Sequence, residues 1–405
     1  MRLYYVDPGM LNNEGHHASW CRGIVGEVRA RGIEVKIMTY AGIDAGLRAE
    51  LGAIPFFRAF GYGWTDGDPV SGWLNWFESA ATVTGADLAR LTRIGADDLL
   101  FFMAGGPPQL QAVLRWLKRF APGLSPHVAF DLFMEPGLDA VSEPGDIAYT
   151  VRDPREDARA ILFRFAAREF ADGDFARLHL VTAERATSKA YRLLLDQPVG
   201  VLPVAHPATA PLVNRAGRRP ITASLLGHQR PEKGSHLIPA VARQLLSECD
   251  DIRVLVHGVG SAEFSQHQAV LRAMAATDTR LILEERVADE ALWRQLLAST
   301  DLMLCPYDAR RYALRNSGIV SEAIANGIPL VVPAGTALVR VMKEFGAGGV
   351  TFTRPIPQAI VGATKRALAN FDALAGASWT AAQRWREVHG ISRFVDALLA
   401  LAKPA

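Results

Sequence analysis

The chain has 405 residues, of which 49% are hydrophobic and 21% charged, and its formal net charge at pH 7 is +2. This length and composition indicate a soluble globular protein of two or three domains with an ample core. So small a net charge does not indicate nucleic-acid binding, although it is compatible with contact to an anionic membrane surface. No run of about 18 apolar residues predicts a membrane-spanning helix.

Two further features indicate the compartment. The three cysteines, Cys21, Cys249 and Cys305, are scattered without metal-ligand spacing, which is typical of reduced thiols in a cytoplasmic protein. The apolar stretch at residues 3–6 is too short for a signal peptide and predicts the first strand instead. We therefore expect a cytoplasmic protein, or one that touches the inner face of the membrane peripherally.

The first half of the chain alternates predicted strands and helices. A strand at residues 3–6, a turn-rich loop, a helix from about residue 16 to residue 31 and a strand at 33–38 form a β-loop-α-β opening. Such an opening is typical of a doubly wound sheet. An aromatic-rich segment at 56–77 predicts either a core strand and helix or a loop that touches an acceptor or a membrane. Apolar runs predict further strands at residues 98–103, 127–134, 178–182 and 199–207.

A proline-rich connection at residues 207–220 separates the two halves of the chain. After it the alternation restarts, with strands predicted at residues 221–226, 252–258, 280–284, 302–305 and 330–332. We therefore predict the α/β class with two Rossmann-like domains, at residues 1–210 and 218–378, facing each other across a cleft. Helices at residues 379–405 are expected to pack back on the first domain.

Candidate functional residues in the first half follow the predicted strand ends. In an open α/β sheet, ligands sit beyond the carboxyl ends of the strands, which is where Gly15, His16 and His17 lie. Two adjacent histidines point in different directions on a helix, so at most one of them is expected to face a ligand. The alternative is a capping or solvated pair, and no partner cluster suggests a metal site. Asp131 follows another strand and is a candidate for an acceptor site.

In the second half, Arg230 and Lys233 lie three positions apart in a loop bounded by glycines, directly after a predicted strand. Both side chains can reach one anion. A later helix is predicted to begin at Ser317 and Gly318, and the free N–H groups of such a helix end carry a partial positive charge. Two cations and a helix dipole suit a diphosphate leaving group, because its negative charge grows as the bond breaks. The alternative is an ordinary surface pair of basic side chains.

The segments 227–234 (GHQRPEKG) and 317–329 (SGIVSEAIANGIP) together resemble the donor half of glycosyltransferase family 4. The resemblance is specific over residues 221–352 and only topological before residue 210. It implies the GT-B fold, with two Rossmann-like domains and a C-terminal helix that crosses back. It also implies transfer of a sugar from a nucleotide-sugar, expected to be a UDP- or GDP-sugar, to a hydroxyl acceptor.

The resemblance further implies roles for individual residues. Arg230 and Lys233 would bind the donor diphosphate, and Glu322 would hold the ribose hydroxyls. The backbone at residues 286–287 would meet the base. The family uses no metal or other cofactor and normally retains the anomeric configuration, with the leaving phosphate able to deprotonate the acceptor. The donor-binding residues implied are Gly15, Arg230, Lys233, Arg286, Val287, Ser317, Gly318, Ile319 and Glu322. The candidates for catalytic side chains are His16, His17 and Asp131.

One departure from the family pattern concerns the first of two glutamates that the family places eight positions apart. Glu322 matches the second, whereas Leu314 stands at the first, which normally touches the donor sugar or its surroundings. Two alternatives therefore stay open: a nucleotide-sugar epimerase or hydrolase of the same fold, and a non-catalytic sugar-nucleotide-binding protein. The sequence does not indicate the oligomeric state or the acceptor, which could be a glycan, a lipid-linked saccharide or a small metabolite.

Overall fold

The computed structural model describes residues 1–13, 17–62, 69–143, 146–205 and 212–403. The chain forms two compact units. The first comprises Met1–Pro207 together with His389–Ala405, and the second comprises Ala208–Val388. None of the described helices is both long enough and apolar enough to cross a membrane.

The first unit contains a parallel sheet and a separate hairpin. Its strands are β1 (Arg2–Asp7), β2 (Glu34–Tyr40), β3 (Ile54–Phe57), β4 (Leu99–Phe102), β5 (His127–Asp131), β6 (Leu138–Glu143), β7 (Asp146–Val151), β8 (Leu178–Thr182) and β9 (Val199–Val201). The seven-stranded sheet has the order β3-β2-β1-β4-β5-β8-β9, and β6 pairs with β7 in antiparallel fashion. Because helices cover both faces of such a sheet, a central strand such as β4 is apolar and buried throughout.

Helices connect the strands of the first unit, and local side chains set where some of them begin. The carboxylate of Asp44 accepts a hydrogen bond from the N–H of Leu47 at 2.9 Å at the start of one helix. Glu184 accepts from the N–H of Thr187 at the same distance at the start of another. These helices are α1 (His17–Ala30), α2 (Ala45–Leu51), α3 (Pro69–Leu88), α4 (Pro107–Leu117), α5 (Arg159–Ala167) and α6 (Arg185–Leu195).

The second unit repeats the architecture with a six-stranded parallel sheet. Its strands are β10 (Ile221–Leu225), β11 (Ile252–His257), β12 (Leu281–Glu284), β13 (Leu302–Leu304), β14 (Leu330–Pro333) and β15 (Gly349–Phe352). They have the order β12-β11-β10-β13-β14-β15. Its helices are α7 (Ile238–Glu248), α8 (Ser265–Ala275), α9 (Glu290–Ala298), α10 (Gly318–Ala325), α11 (Ala337–Phe345), α12 (Pro357–Ala369) and α13 (Phe371–Val388).

Each sheet has one point at which the strand order reverses. In the first sheet β1 and β4 are neighbours, and in the second sheet β10 and β13 are neighbours. In open α/β sheets, ligands bind outside the carboxyl ends of the strands at such a switch point. The loops that follow these four strands are therefore where a functional site is expected in each unit.

The end of the chain divides between the two units. α13 packs in the second unit, where the rings of Trp385 and Phe345 lie 4.7 Å apart between centroids. The last helix, α14 (Ile391–Ala400), packs in the first unit, where Phe394 lies 5.4 Å from Phe101 between ring centroids. The predicted boundary at residue 379 therefore falls inside α13. Helical periodicity shows that both helices have an apolar face, but it does not show which core each face completes.

Candidate active site

The second unit brings the loop after β10 into contact with the start of α10. Gly227 has a φ of +92°, in the left-handed region that glycine adopts readily. A Cβ atom at this position would lie 2.8 Å from Cδ1 of Ile319 and 3.5 Å from Nζ of Lys233. The loop backbone, the ammonium group of Lys233 and the first turn of α10 therefore meet at the switch point of the second sheet.

The ammonium group of Lys233 makes no hydrogen bond or ion pair with any residue that the structure describes. Its Nζ lies 5.8 Å from the centroid of the Tyr307 ring. Burial, followed by the charges of Arg230 and Arg315, lowers the pKa of Lys233 to about 8. A cation in this condition is stabilised by any anion that enters the site.

Arg230 belongs to the same turn, because the N–H of Lys233 donates to the carbonyl of Arg230 at 2.9 Å. The Arg230 side chain is 48% exposed, and its Nη1 lies 3.9 Å from Oε1 of Glu232. An exposed ion pair at this distance contributes little stability, so the guanidinium group stays available to another anion. The structure thus brings the predicted pair, Arg230 and Lys233, together.

The helix end predicted from the sequence is α10, which begins at Gly318 with Ser317 as its N-cap. Oγ of Ser317 accepts a hydrogen bond from the N–H of Val320 at 3.4 Å. The N–H groups of Gly318 and Ile319 have no acceptor within the helix, and the space around the Gly318 Cα is open. This helix end therefore presents N–H donors and the positive end of the helix dipole beside Lys233.

Glu322 already has a partner in the second unit. The indole N–H of Trp293, on α9, donates a hydrogen bond to its Oε2. The same indole lies 6.2 Å from the imidazole of His257 between ring centroids. Nε2 of His257 donates to the carbonyl of Arg286 at 2.9 Å, and Val287 beside it is exposed. Sequence reasoning missed Trp293 and His257, because no spacing rule links α9 or the end of β11 to α10.

The loop that leads into α10 is largely buried. Leu314 is 3% exposed and follows two other buried residues, Tyr312 and Ala313. The carbonyl of Ala313 accepts a hydrogen bond from the guanidinium group of Arg340 at 2.7 Å. The ring of Tyr312 packs on that of Tyr307, with centroids 4.5 Å apart. The position that the family resemblance assigns to a glutamate is therefore part of the apolar interior in this protein.

The first unit has its own group of polar side chains at the end of β1. The carboxylate of Asp7 is fully buried and accepts a hydrogen bond from Nδ1 of His17 at 2.8 Å. This bond places the proton of the neutral imidazole on Nδ1 and leaves Nε2 as an acceptor. Nε2 lies 3.0 Å from the hydroxyl of Tyr62. A Cβ atom at Gly9 would lie 2.6 Å from the Tyr62 ring, so the loop can pass this group only with glycine there.

Of the residues predicted in the loop after β1, the structure describes His17, whereas Gly15 and His16 lie outside the described residues. Sequence reasoning missed Asp7, although a carboxylate at a strand end is a recognisable signal. It also missed Tyr62, which is 45 positions away from His17 and has no motif that connects the two.

Asp131 ends β5 and lies on the same row of the first sheet as Asp7, two strands away. The register shows this, because Val6 pairs with Phe102 and Phe102 pairs with Phe130. At the usual strand spacing, the Cα atoms of the two aspartates are about 10 Å apart. The Asp131 carboxyl makes no hydrogen bond with the described residues, and burial raises its pKa to about 7. It can therefore hold or release a proton near neutral pH.

Comparison with known proteins places this architecture among solved structures. No protein-family model matches the sequence, and no curated protein matches it either. Sucrose-phosphate synthase from Thermosynechococcus elongatus is similar in structure with a TM-score of 0.65 at 12% identity, over 99% of this chain and 98% of that one. The pneumococcal O-GlcNAc transferase GtfA, in complex with UDP and GlcNAc, has a TM-score of 0.65 at 10% identity, over 100% and 99%. HepE from Anabaena, in complex with UDP-glucose, has a TM-score of 0.64 at 11% identity, over 99% and 98%.

At identities this low, the likeness establishes the fold. The chain has the GT-B fold of two Rossmann-like units and a C-terminal helix, so the predicted fold class is confirmed. Membership of family 4 within this fold stays a prediction.

Proposed function

We propose that the protein is a glycosyltransferase that moves a sugar from a nucleotide-sugar donor to a hydroxyl acceptor. The observation that carries the proposal is the ammonium group of Lys233, which has no counter-ion among the described residues and lies beside the first turn of α10. A donor diphosphate supplies the missing negative charge. The nucleotide complexes of HepE and GtfA, which share the fold, support a nucleotide-sugar as the donor.

In the proposed reaction, the bond between the sugar C1 and the donor phosphate oxygen breaks, and its electron pair stays on the phosphate. The acceptor oxygen forms the new bond to C1, and its proton passes to a base. Arg230, Lys233 and the N–H groups of α10 stabilise the charge that develops on the diphosphate. From the resemblance to family 4, we propose retention of the anomeric configuration, no metal, and the departing phosphate as an acceptor of that proton.

In this proposal, side chains of the first unit contact the acceptor. His17 is held by Asp7, and Asp131 titrates near neutral pH at the end of a neighbouring strand. Both lie at the carboxyl edge of the first sheet, where α/β proteins bind ligands. Groups of this kind can orient an acceptor hydroxyl and accept its hydrogen bond.

A non-catalytic sugar-nucleotide-binding protein is the second candidate, and the burial of Leu314 favours it. The two candidates share the nucleotide site and differ in turnover. Incubation with a panel of nucleotide-sugars, followed by mass spectrometry for free nucleoside diphosphate, separates them. Release of the diphosphate supports the enzyme, whereas binding without release supports the second candidate.

The first experiment on the nucleotide site is a thermal-shift screen with UDP, GDP, ADP, CDP and TDP. A ligand that binds only the folded protein raises its melting temperature by mass action. We expect one of these nucleotides to raise the melting temperature of the parent protein and not that of Lys233→Ala. The matched control is Arg243→Ala, because Arg243 is an exposed cation on α7 of the same unit. Shifts of equal size in all three proteins would contradict the site assignment.

A further inference from the structure

A third cation, Arg315, lies at the same carboxylate as Arg230. Nη1 of Arg315 is 3.9 Å from Oε1 of Glu232, and Nη1 of Arg230 is 3.9 Å from the same oxygen. The two Nη1 atoms are therefore separated by no more than the sum of these two distances. At 3.9 Å neither contact is a hydrogen bond, so Glu232 does not occupy the N–H donors of either arginine.

Two tyrosine rings, packed against each other at an interplanar angle of 39°, lie near the cations. The rings of Tyr307 and Tyr312 are 4.5 Å apart between centroids, and both side chains are almost fully buried. Cζ of Arg315 lies 5.3 Å from the centroid of Tyr312, and Nζ of Lys233 lies 5.8 Å from that of Tyr307. Cations over aromatic faces are held in place by the ring quadrupole. Each ring therefore restricts the cation above it, which reduces the conformational entropy lost when a ligand binds.

The charges in this cluster do not balance. Among these four side chains, Arg230, Lys233 and Arg315 carry three positive charges and Glu232 carries one negative charge. After burial, the charges of Arg230 and Arg315 lower the pKa of Lys233, so both arginines lie close enough to act on its ammonium group. A ligand with several negative charges relieves this repulsion more than a ligand with one or two.

Arg315 also lies two positions before Ser317, the N-cap of α10. Its backbone therefore lies next to the helix end that presents free N–H groups, while its guanidinium group lies near Glu232 and Tyr312. The planar fork of an arginine can donate to two oxygens of one phosphate, whereas an ammonium group acts as a point charge.

We propose that Arg315 is the third phosphate-binding cation of this site and that it gives the site a preference for a diphosphate over a monophosphate. The proposal rests on the proposed function, because it assumes that Arg230 and Lys233 bind the phosphates of a nucleotide.

The test is isothermal titration of Arg315→Gln and Arg315→Lys with three ligands. They are the nucleoside diphosphate with the largest thermal shift, its monophosphate, and inorganic diphosphate. Loss of a charged hydrogen bond should weaken binding of both diphosphates to Arg315→Gln by about 10- to 100-fold. Monophosphate binding should weaken by less than about threefold, because the first phosphate is held by Lys233 and α10. The diphosphate affinity of Arg315→Lys should lie between those of the parent and Arg315→Gln. The surface control Arg243→Gln should bind all three ligands as the parent does.

A second readout separates ligand binding from a structural role of Arg315. Removing this charge should raise the pKa of Lys233, so the pH above which diphosphate binding weakens should move upward. Parent-like diphosphate affinity in Arg315→Gln, or equal losses for monophosphate and diphosphate, would overturn the proposal. A lower melting temperature without any change in the affinity ratio would also overturn it, because stacking on Tyr312 alone explains that result.

The titrations also distinguish failure of this inference from failure of the proposed function. If Lys233→Ala loses nucleotide binding while Arg315→Gln keeps it, the nucleotide site stands and the role of Arg315 is wrong. If no nucleotide binds the parent protein, the proposed function fails. The titration with inorganic diphosphate then tests the three-cation site by itself, and absence of binding there rejects it.

Discussion

The two switch points of the molecule hold charged side chains in opposite conditions. In the second unit, Lys233 has no counter-ion among the described residues. The carboxylate of Glu232 lies 3.9 Å from a guanidinium nitrogen of Arg230 and 3.9 Å from one of Arg315. In the first unit, the carboxylate of Asp7 is fully buried and hydrogen-bonded to His17, whose other ring nitrogen reaches Tyr62. The cation of the second unit is therefore suited to an anionic ligand, whereas the carboxylate and the imidazole of the first unit are already hydrogen-bonded to other side chains of the protein.

This difference suits the two groups to different tasks. A cation such as Lys233, which has no counter-ion among the described residues, gains electrostatic stabilisation when an anionic ligand binds. It therefore favours an anion and a transition state that carries more negative charge. A histidine fixed by a buried carboxylate has a defined tautomer and orientation, so it favours proton transfer or a directed hydrogen bond. Mutations should therefore separate nucleotide binding in the second unit from the use of the acceptor in the first.

The largest effect is expected from Lys233→Ala. In the proposed function Lys233 stabilises the leaving diphosphate, so its loss should lower turnover of the nucleotide-sugar by about 10³-fold. The free energy of unfolding should not fall at pH 7, because a cation whose pKa is lowered by burial is unfavourable in the folded state. Initial rates and urea denaturation measure the two quantities. Turnover within threefold of the parent would contradict the binding role assigned to the second unit.

Asp7→Asn should have the next largest effect and should leave nucleotide binding unchanged. The amide can no longer hold Nδ1–H of His17 as a carboxylate does, so the imidazole loses its fixed tautomer. We expect turnover to fall by about 10²-fold, the lower end of the range for a positioned acid or base. Calorimetric titration with the nucleoside diphosphate should give the parent affinity. A parallel loss of nucleotide affinity would show that the two groups of side chains are not functionally separate.

Substitution of Glu322 or Trp293 should have a smaller effect, a weaker binding of the nucleotide through its ribose. Glu322→Ala should weaken nucleotide binding by about 1.5–3 kcal/mol, the scale of a hydrogen bond to a charged group. Trp293→Phe keeps an aromatic ring but removes the N–H that holds the Glu322 carboxylate, so it should lose part of the same energy. The measurement compares a nucleotide with its 2′-deoxy analogue. If Trp293→Phe keeps the parent preference for the ribose form, the indole does not orient Glu322 toward the sugar.

Much of the fold could be predicted from the order of apolar runs. The alternation of strand and helix, restarting after residue 220, is sufficient for two doubly wound sheets. The hairpin of β6 and β7 was not predicted, because six-residue strands with polar positions give a weak signal beside the apolar runs of a parallel sheet. The assignment of α13 to the second unit depends on long-range packing of Trp385, which no local pattern reports.

The candidate site divides in the same way. Arg230, Lys233 and Ser317 could be found because glycines, charge spacing and a helix cap are local features of the sequence. Tyr62 and Trp293 could not, because each reaches its partner through the fold, across 45 and 29 positions respectively. The sequence also does not show that Lys233 lacks an ion pair among the described residues, because the adjacent Glu232 suggests a salt bridge between the two.

The smallest expected effect is a pH dependence of stability at Asp131. Burial raises the pKa of its carboxyl from 3.8 to about 7, so the folded protein binds more protons than the unfolded chain between these values. The contribution of Asp131 to the free energy of unfolding is therefore fully present below pH 4 and is lost as the pH rises through 7.

Asp131→Asn cannot ionise, so at pH 8 it should melt at least about 2 °C above the parent, the shift that about 1 kcal/mol produces in a domain of this size. At pH 4 the two proteins should have the same melting temperature. The exposed control Asp172→Asn should have the melting temperature of the parent at both pH 4 and pH 8. A gain in stability at pH 4 as large as that at pH 8 would show that the side chain is not held in its neutral form, and would remove Asp131 as a group that exchanges protons near neutral pH.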